Sequence, residues 1–310
     1  MSARGVPRAL AARVAAQAKV NLRLRILARE ASGYHQLETL FLRLALADDV
    51  LVRATDGARS LDARGDVDPR QLGAPERNLA WRAAEAYAAA TGWPAGFAIE
   101  LEKRIPVGGG LGGGSADAGA VLRALDAMAP APAGEAALLA IAARLGADVA
   151  FLTSEHAYAL AWGRGERLLG LPAPPEREVL LVLPSFAVNT AEAYGWLAAQ
   201  REASDVGEAD AGVLDPGVLD QWPTIARLAS NDFEPVVAAR HPMVDATLAR
   251  LREHGCVPAM MSGSGSTLFG VLPEGAQVDV PRFDGEHGGP VPRVLLTRTA
   301  TSVAPVVPVA

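Results

Sequence analysis

Six of the seven residues from Gly108 to Gly114 are glycine, within the run Pro106-Val-Gly-Gly-Gly-Leu-Gly-Gly-Gly-Ser115. No packed helix or strand interior tolerates such a run, because each glycine forfeits backbone order and packs nothing. A loop of this kind turns its N–H groups inward and lets a ligand approach the backbone closely. Downstream, Val121, Leu122, Leu125 and Met128 recur with a 3.6-residue period, so the loop feeds a helix that Ser115 is expected to cap. Free N–H groups and the helix dipole make that junction an anion site suited to phosphate. Ser115 adds a hydroxyl donor, or a group to help hold a metal. The bland alternative is a flexible linker, but linkers are usually polar and do not lead straight into a capped helix.

Two common phosphate motifs do not account for the loop. The P-loop places Lys directly after its last glycine, whereas Gly113 is followed by Gly114 and Ser115. Gly108, Gly110 and Gly113 satisfy the bare dinucleotide spacing G-x-G-x-x-G. The strand before them alternates, however: Phe97, Ile99 and Leu101 are interleaved with Ala98, Glu100 and Glu102. A dinucleotide-fold strand is buried on both faces, and its tight turn leaves no room for Lys103 to Pro106 between strand and loop.

Elsewhere, Lys19 to Leu27 alternates, with Val20, Leu22, Leu24 and Ile26 opposite Lys19, Asn21, Arg23 and Arg25, which predicts a half-buried strand. Further strands are expected over Thr39–Leu46, Val50–Arg53 and Val179–Leu183, with Asp48-Asp49 a solvated turn. Helices are expected over Asn78–Ala90, over Glu135–Leu145 with Gly146 as C-terminal cap, near Val236, and over Met243–His254. Asp56–Gln71 reads as loops and short edge structure, and acidic Ala203–Gly217 as a mobile loop. Proline-rich Leu171–Glu178 divides the chain into domains 1–170 and 171–310. The last ten residues have no evident assignment. Mixed elements with half-exposed strands argue an α+β fold.

The formal net charge is −6, which disfavours a general nucleic-acid binder. No apolar run reaches the roughly 18 residues of a membrane-spanning helix, so no membrane association is expected. A single cysteine, Cys256, cannot form an intramolecular disulfide and suits a reducing, cytoplasmic setting. His241, His254 and His287 have no metal-ligand spacing, so no protein metal site is expected. Met1–Gln17, with three arginines and no acid, reads as a short disordered extension.

Three motifs in order carry a resemblance. Pro106–Ala116 resembles the ATP loop of the galactokinase, homoserine kinase, mevalonate kinase and phosphomevalonate kinase (GHMP) superfamily. Ala18-Lys19-Val20-Asn21-Leu22 and Ser262-Gly263-Ser264-Gly265-Ser266-Thr267 resemble its other two motifs. Within the superfamily, Gly33-Tyr34-His35-Gln36-Leu37, Leu145-Gly146-Ala147-Asp148-Val149, Asn189-Thr190-Ala191-Glu192-Ala193-Tyr194 and Ser230-Asn231-Asp232-Phe233-Glu234 resemble the diphosphocytidyl-methylerythritol kinases. The chain departs from that pattern at Ala150, where Pro is usual, at Ser32, where Asp is common, and at Ser266, where Pro or Ala is commoner.

The resemblance implies two α+β domains with the site in the cleft between them, ATP as co-substrate with Mg²⁺, and a cytidine diphosphate-linked methylerythritol as acceptor. A monomer or weak homodimer is expected. It implies Asp148 as general base and Lys19 as its partner, keeping the carboxylate ionised and offsetting charge on the attacking oxygen. Pro106, Val107, Gly108, Gly109, Gly110, Leu111, Gly112, Gly113, Gly114, Ser115 and Ala116 would hold the ATP phosphates. Tyr34 and His35 would form the cytidine pocket, Tyr194 would stack on the base's other face, and Asn21 and Thr190 would contact the rest of the acceptor. Three alternatives stand beside this reading: another GHMP kinase, a nicotinamide-dependent oxidoreductase, and a non-catalytic nucleotide sensor.

Overall fold

The computed structural model describes residues 10–29, 35–66, 74–203, 215–276, 280–285 and 289–309. Two long strands form its spine. β1 (Ala11–Arg29) runs antiparallel to β2 (His35–Thr55), with Lys19 opposite Arg43 and Asn21 opposite Phe41. β3 (Arg59–Gly65) is an edge strand lying parallel to β4 (Gly96–Lys103), which pairs with β2. Between them α1 (Leu79–Thr91) starts at Asn78, whose side chain accepts from the Ala80 N–H. After the glycine loop come α2 (Gly113–Met128), α3 (Glu135–Leu145) and the short α4 (Ala147–Thr153). The hairpin β5 (Tyr158–Gly163) and β6 (Arg167–Gly170) extends from β2.

The second half builds its own four-stranded antiparallel sheet from β7 (Glu178–Leu183) and later strands. It continues through α5 (Thr190–Ala203), α6 (Trp222–Leu228), β8 (Ser230–Asn231), α7 (Glu234–Ala238) and α8 (Met243–Glu253). β9 (Ala259–Met261), β10 (Leu268–Val271) and β11 (Arg293–Arg298) complete the sheet in the order β11-β7-β10-β9. β12 (Val306–Val309) closes the chain. β8 and β12 leave this half and pair with β1 in the first sheet, which counts eight strands among the described residues.

Several expectations are corrected. Residues 11–17 are not an extension: they are the start of β1, held between β2 and β12, whereas residues 1–9 lie outside the described residues. The apolar tail therefore has an assignment, as the strand that covers β1. Thr39–Leu46 and Val50–Arg53 belong to one continuous strand. Over its central residues, Ala16 to Leu24, β1 is not half-exposed. Lys19, Asn21 and Arg23 are as buried as Val20 and Leu22, because the polar face of the strand forms a hydrogen-bonded floor beneath the second half. Gly146 ends α3 in extended backbone, its N–H bonded to the Ala142 carbonyl, rather than in the left-handed conformation usual for a glycine cap. Most of the acidic segment Ala203–Gly217 lies outside the described residues; its end forms a short turn at Pro216–Val218. Among the described residues, no helix is long and apolar enough to cross a membrane.

Candidate active site

The glycine loop leaves β4, crosses over β1 and enters α2 under a second glycine-rich loop between β9 and β10. A backbone bond from Lys19 N–H to the Leu111 carbonyl (3.0 Å) fixes it to β1. The Ser262 hydroxyl donates to the Gly110 carbonyl (3.0 Å), and the Thr267 N–H to the Gly109 carbonyl (3.2 Å). Asn231 holds this second loop in turn, donating from Nδ2 to the Met261 and Gly263 carbonyls, both at 2.8 Å.

Ser115 does not cap α2. The N-cap is Gly112, in the left-handed conformation (φ 74°), and the helix opens three residues earlier than expected. The first helical bond is Ala116 N–H to the Gly112 carbonyl. The N–H groups of Gly113, Gly114 and Ser115 therefore precede the helical ladder, and all three residues line the cleft. A cavity of about 730 Å³ runs from here across Lys19, Asn21 and Asp148 to Thr190 and Tyr194.

Lys19 and Asp148 meet in that cavity. Lys19 Nζ lies 3.2 Å from Asp148 Oδ2, with the lysine side chain 3% exposed and the aspartate 31%. Lys19 also donates to Asn21 Oδ1 (2.7 Å), Asn21 Nδ2 to Thr39 Oγ1 (2.8 Å), and Thr39 Oγ1 to the Arg23 carbonyl (2.6 Å). This chain aims the ammonium. It also engages both ends of the Asn21 amide, so Asn21 orients Lys19 in this structure. The ammonium lies over the Phe41 ring at 5.4 Å. Asp148 stands in the first turn of α4, where the helix dipole favours a carboxylate.

At the far end of the cavity, Thr190 opens α5, its hydroxyl 2.9 Å from the Ser264 hydroxyl. Tyr194 packs edge-on against Phe233. Burial, followed by the Asp148 charge, raises its phenol pKa. His35 and Tyr194 stack directly on each other, with centroids 4.3 Å apart and planes 17° from parallel. At that separation no ring fits between them. Tyr34 lies outside the described residues.

Three charged residues beside the loop were missed or misread. Asp48 is not in a solvated turn: it is 1% exposed, inside β2, and paired with Lys103. Its Oδ1 accepts from the Arg104 N–H (2.5 Å) and the Ile105 N–H (2.8 Å), pinning the entry to the loop. Lys103 also bonds Asp117 Oδ2 (2.5 Å) in the first turns of α2, so one ammonium ties the two ends of the loop together. Burial pushes the Asp117 carboxyl up, Lys103 opposes it, and Asp48 adds to it. For Lys103, burial acts downward, but Asp117 and then Asp48 outweigh it and the pKa is raised. The signal was in the sequence: Lys103 has the buried parity of Phe97, Ile99 and Leu101, and Asp117 stands one helical turn before Val121.

Known proteins resemble this chain in sequence and fold. Residues 78–158 match the GHMP kinases N terminal domain and 219–282 the GHMP kinases C terminal domain. The chain is 43% identical over 262 residues to 4-diphosphocytidyl-2-C-methyl-D-erythritol kinase of Anaeromyxobacter sp. (strain K), covering 83% of this chain and 80% of that one. It is 34% identical over 302 residues to the enzyme of that name from Heliobacterium modesticaldum, covering 93% and 95%. A crystal structure of 4-(cytidine 5′-diphospho)-2C-methyl-D-erythritol kinase matches with a TM-score of 0.69 at 34% identity, covering 93% of this chain and 98% of that one. Homoserine kinase from Cytophaga hutchinsonii, at 17% identity and a TM-score of 0.66, covering 99% of this chain and 100% of that one, shares the fold. With relatives this similar over most of its length, the chain belongs to the 4-diphosphocytidyl-2-C-methyl-D-erythritol kinase family of the GHMP kinases.

Proposed function

We propose that this kinase transfers the γ-phosphoryl group of ATP to the 2-hydroxyl of 4-diphosphocytidyl-2-C-methyl-D-erythritol, a step of the methylerythritol phosphate route to isoprenoid precursors. The observation that carries the reading is the Lys19–Asp148 ion pair, which shares one cavity with the open N-terminus of α2. The acceptor hydroxyl attacks the γ-phosphorus, its proton passes to Asp148, and the bond to the β,γ-bridging oxygen breaks to release ADP. Lys19 has one donor left after Asn21 and Asp148, and that donor is available to the attacking oxygen. Such transfer depends mainly on positioning and charge neutralisation, and the N–H groups of Gly113, Gly114 and Ser115 supply both for the phosphates.

Mg²⁺ bound with ATP neutralises phosphate charge. Among the described residues, no three His, Cys, Asp or Glu side chains cluster to hold a metal by themselves. The cleft does offer oxygens that suit a cation held mainly by phosphates and water: the Ser115 hydroxyl and Asp117 Oδ1, a buried acceptor with no partner. Tyr194, His35 and Tyr34 take the cytidine, with the His35–Tyr194 stack parting to admit the base, and Thr190 contacts the methylerythritol portion. We take residues 1–170 and 171–310 as two domains flanking the cleft, and the protein as a cytoplasmic monomer or weak homodimer.

The test is ADP release by the purified protein with ATP, Mg²⁺ and the cytidyl acceptor, beside homoserine and mevalonate. Release with the cytidyl acceptor alone, lost in Asp148→Ala, is expected. Release with another acceptor would overturn the substrate, and full activity in Asp148→Ala would overturn the base.

A further inference from the structure

Arg43 is an unusual residue to find in a core. It is 2% exposed, yet no carboxylate among the described residues lies within ion-pair distance. Its guanidinium instead spends its donors on carbonyls: Nε on His156 (2.9 Å), and Nη2 on both Phe151 (2.8 Å) and Ser154 (2.9 Å). Burial first, then nearby Arg123, pull its pKa down to about 9, with Glu155 pulling the other way. Holding a cation so far from a counter-charge is costly, and its location suggests what that cost secures.

The three carbonyls lie at and just beyond the C-terminal end of α4, the helix that carries Asp148. Phe151 is one turn, roughly 4.5 Å of axial rise, from Asp148. A cation at a helix C-terminus and a carboxylate at its N-terminus both complement the dipole, so Arg43 and Asp148 complete the two ends of one short helix. The opposite side of α4 leaves little slack: a Cβ on Gly119 of α2 would stand 2.5 Å from the Leu152 carbonyl oxygen. Arg43 also reaches Lys19. The guanidinium lies over the Phe151 ring at 5.0 Å, Phe151 stacks on Phe41 at 4.9 Å, and the Lys19 ammonium lies over Phe41 at 5.4 Å. Arg43 and Lys19 are directly opposed across β1 and β2. The residue that fixes the far end of the base's helix is thus the cross-strand neighbour of the base's partner.

We propose that Arg43 is a positioning residue for phosphoryl transfer, setting Asp148 against Lys19 by anchoring α4 from its C-terminal end. This rests on the reading of Asp148 as the general base. An ammonium at position 43 cannot reproduce the fork that spans His156 on one side and Phe151 with Ser154 on the other. Arg43→Lys therefore keeps the charge but lets the helix shift. Arg43 touches neither the glycine loop nor the cavity, so ATP binding is left alone.

The experiment measures steady-state kinetics of Arg43→Lys and Arg43→Gln, alone and combined with Asp148→Asn, with circular dichroism melts to show that each variant folds. In the Asp148-containing protein, kcat is expected to fall by roughly tenfold or more, since a displacement near 1 Å at the reacting groups can cost ~100-fold. KM for ATP should stay within about twofold. Combined with Asp148→Asn, either substitution should change the residual kcat by less than about twofold, because the group it positions is gone. Arg43→Lys is the conservative variant that keeps the test open if Arg43→Gln does not fold. A folded Arg43→Lys with wild-type kcat, or an equal penalty with and without Asp148, would overturn the proposal. Full kcat in Asp148→Asn alone would remove the base assignment and this proposal with it, an outcome distinct from failure at Arg43 only.

Discussion

Gly108 and Gly110 share a left-handed backbone (φ 78° at both) in the same loop, but their surroundings differ. A Cβ on Gly108 would meet nothing within 4 Å. A Cβ on Gly110 would press into the Ser262 carbonyl oxygen, inside the 3.0 Å limit that real Cβ atoms respect, and lie 3.1 Å from the Gly265 carbonyl oxygen. Both obstacles are backbone and cannot rotate away. Alanine at either site incurs the left-handed strain of a non-glycine residue, about 1–2 kcal/mol. Gly110→Ala adds overpacking, typically about 1–3 kcal/mol. Gly110→Ala should therefore be less stable than Gly108→Ala by about 1–3 kcal/mol, although the two changes are chemically identical. Equilibrium urea denaturation of both variants measures the difference directly. Because the only relief is to push the two glycine loops apart, Gly110→Ala should also raise KM for ATP more than Gly108→Ala does. Equal stabilities would refute the claim that the second loop closes down on the first.

Asp48→Ala leaves Lys103 with one carboxylate and strips the Arg104 and Ile105 N–H groups of their acceptor; breaking a buried ion pair costs about 3–5 kcal/mol, readable in the same denaturation assay, and a loss under about 1 kcal/mol would contradict the buried cluster. Tyr194→Ala removes a stacking face worth about 1–3 kcal/mol per base, so KM for the cytidyl acceptor should rise by roughly 5- to 150-fold while KM for ATP holds; a parallel rise in both would displace Tyr194 from the acceptor end. Burial pushes the Cys256 thiol up to about 11 from an ordinary 9.0, so the unfolded chain loses this proton first as pH rises. The stability tied to that thiol is thus fully present below pH 9 and is lost as pH climbs through 11, by roughly 2–3 kcal/mol. Cys256→Ala should flatten this part of the stability–pH curve, and an unchanged slope would show that the thiol titrates normally.

Local pattern sufficed wherever the chain's own period decided the outcome. Glu135–Leu145 is a helix with the expected bounds, α1 starts at its Asn78 cap, and Phe97–Leu101 alternates about the face of β4 that packs into the core. The glycine run likewise announced a loop opening into a helix N-terminus, because Gly108, Gly110 and Gly112 take up left-handed backbone that other residues rarely adopt. Tertiary contacts decided the rest. Alternation along β1 correctly separated Lys19, Asn21 and Arg23 from their apolar neighbours, but it could not show that the polar face would also be covered, since that depends on segments some 200 residues away. Asp48 looked like a turn residue because its partner Lys103 lies 55 positions distant. The final strand has no pattern of its own, and its pairing comes from the edge of β1. For Arg43, sequence gave no hint of a role: a single arginine in an apolar strand acquires meaning only when folding brings three carbonyls from the end of one short helix around its guanidinium, a placement that no local period encodes.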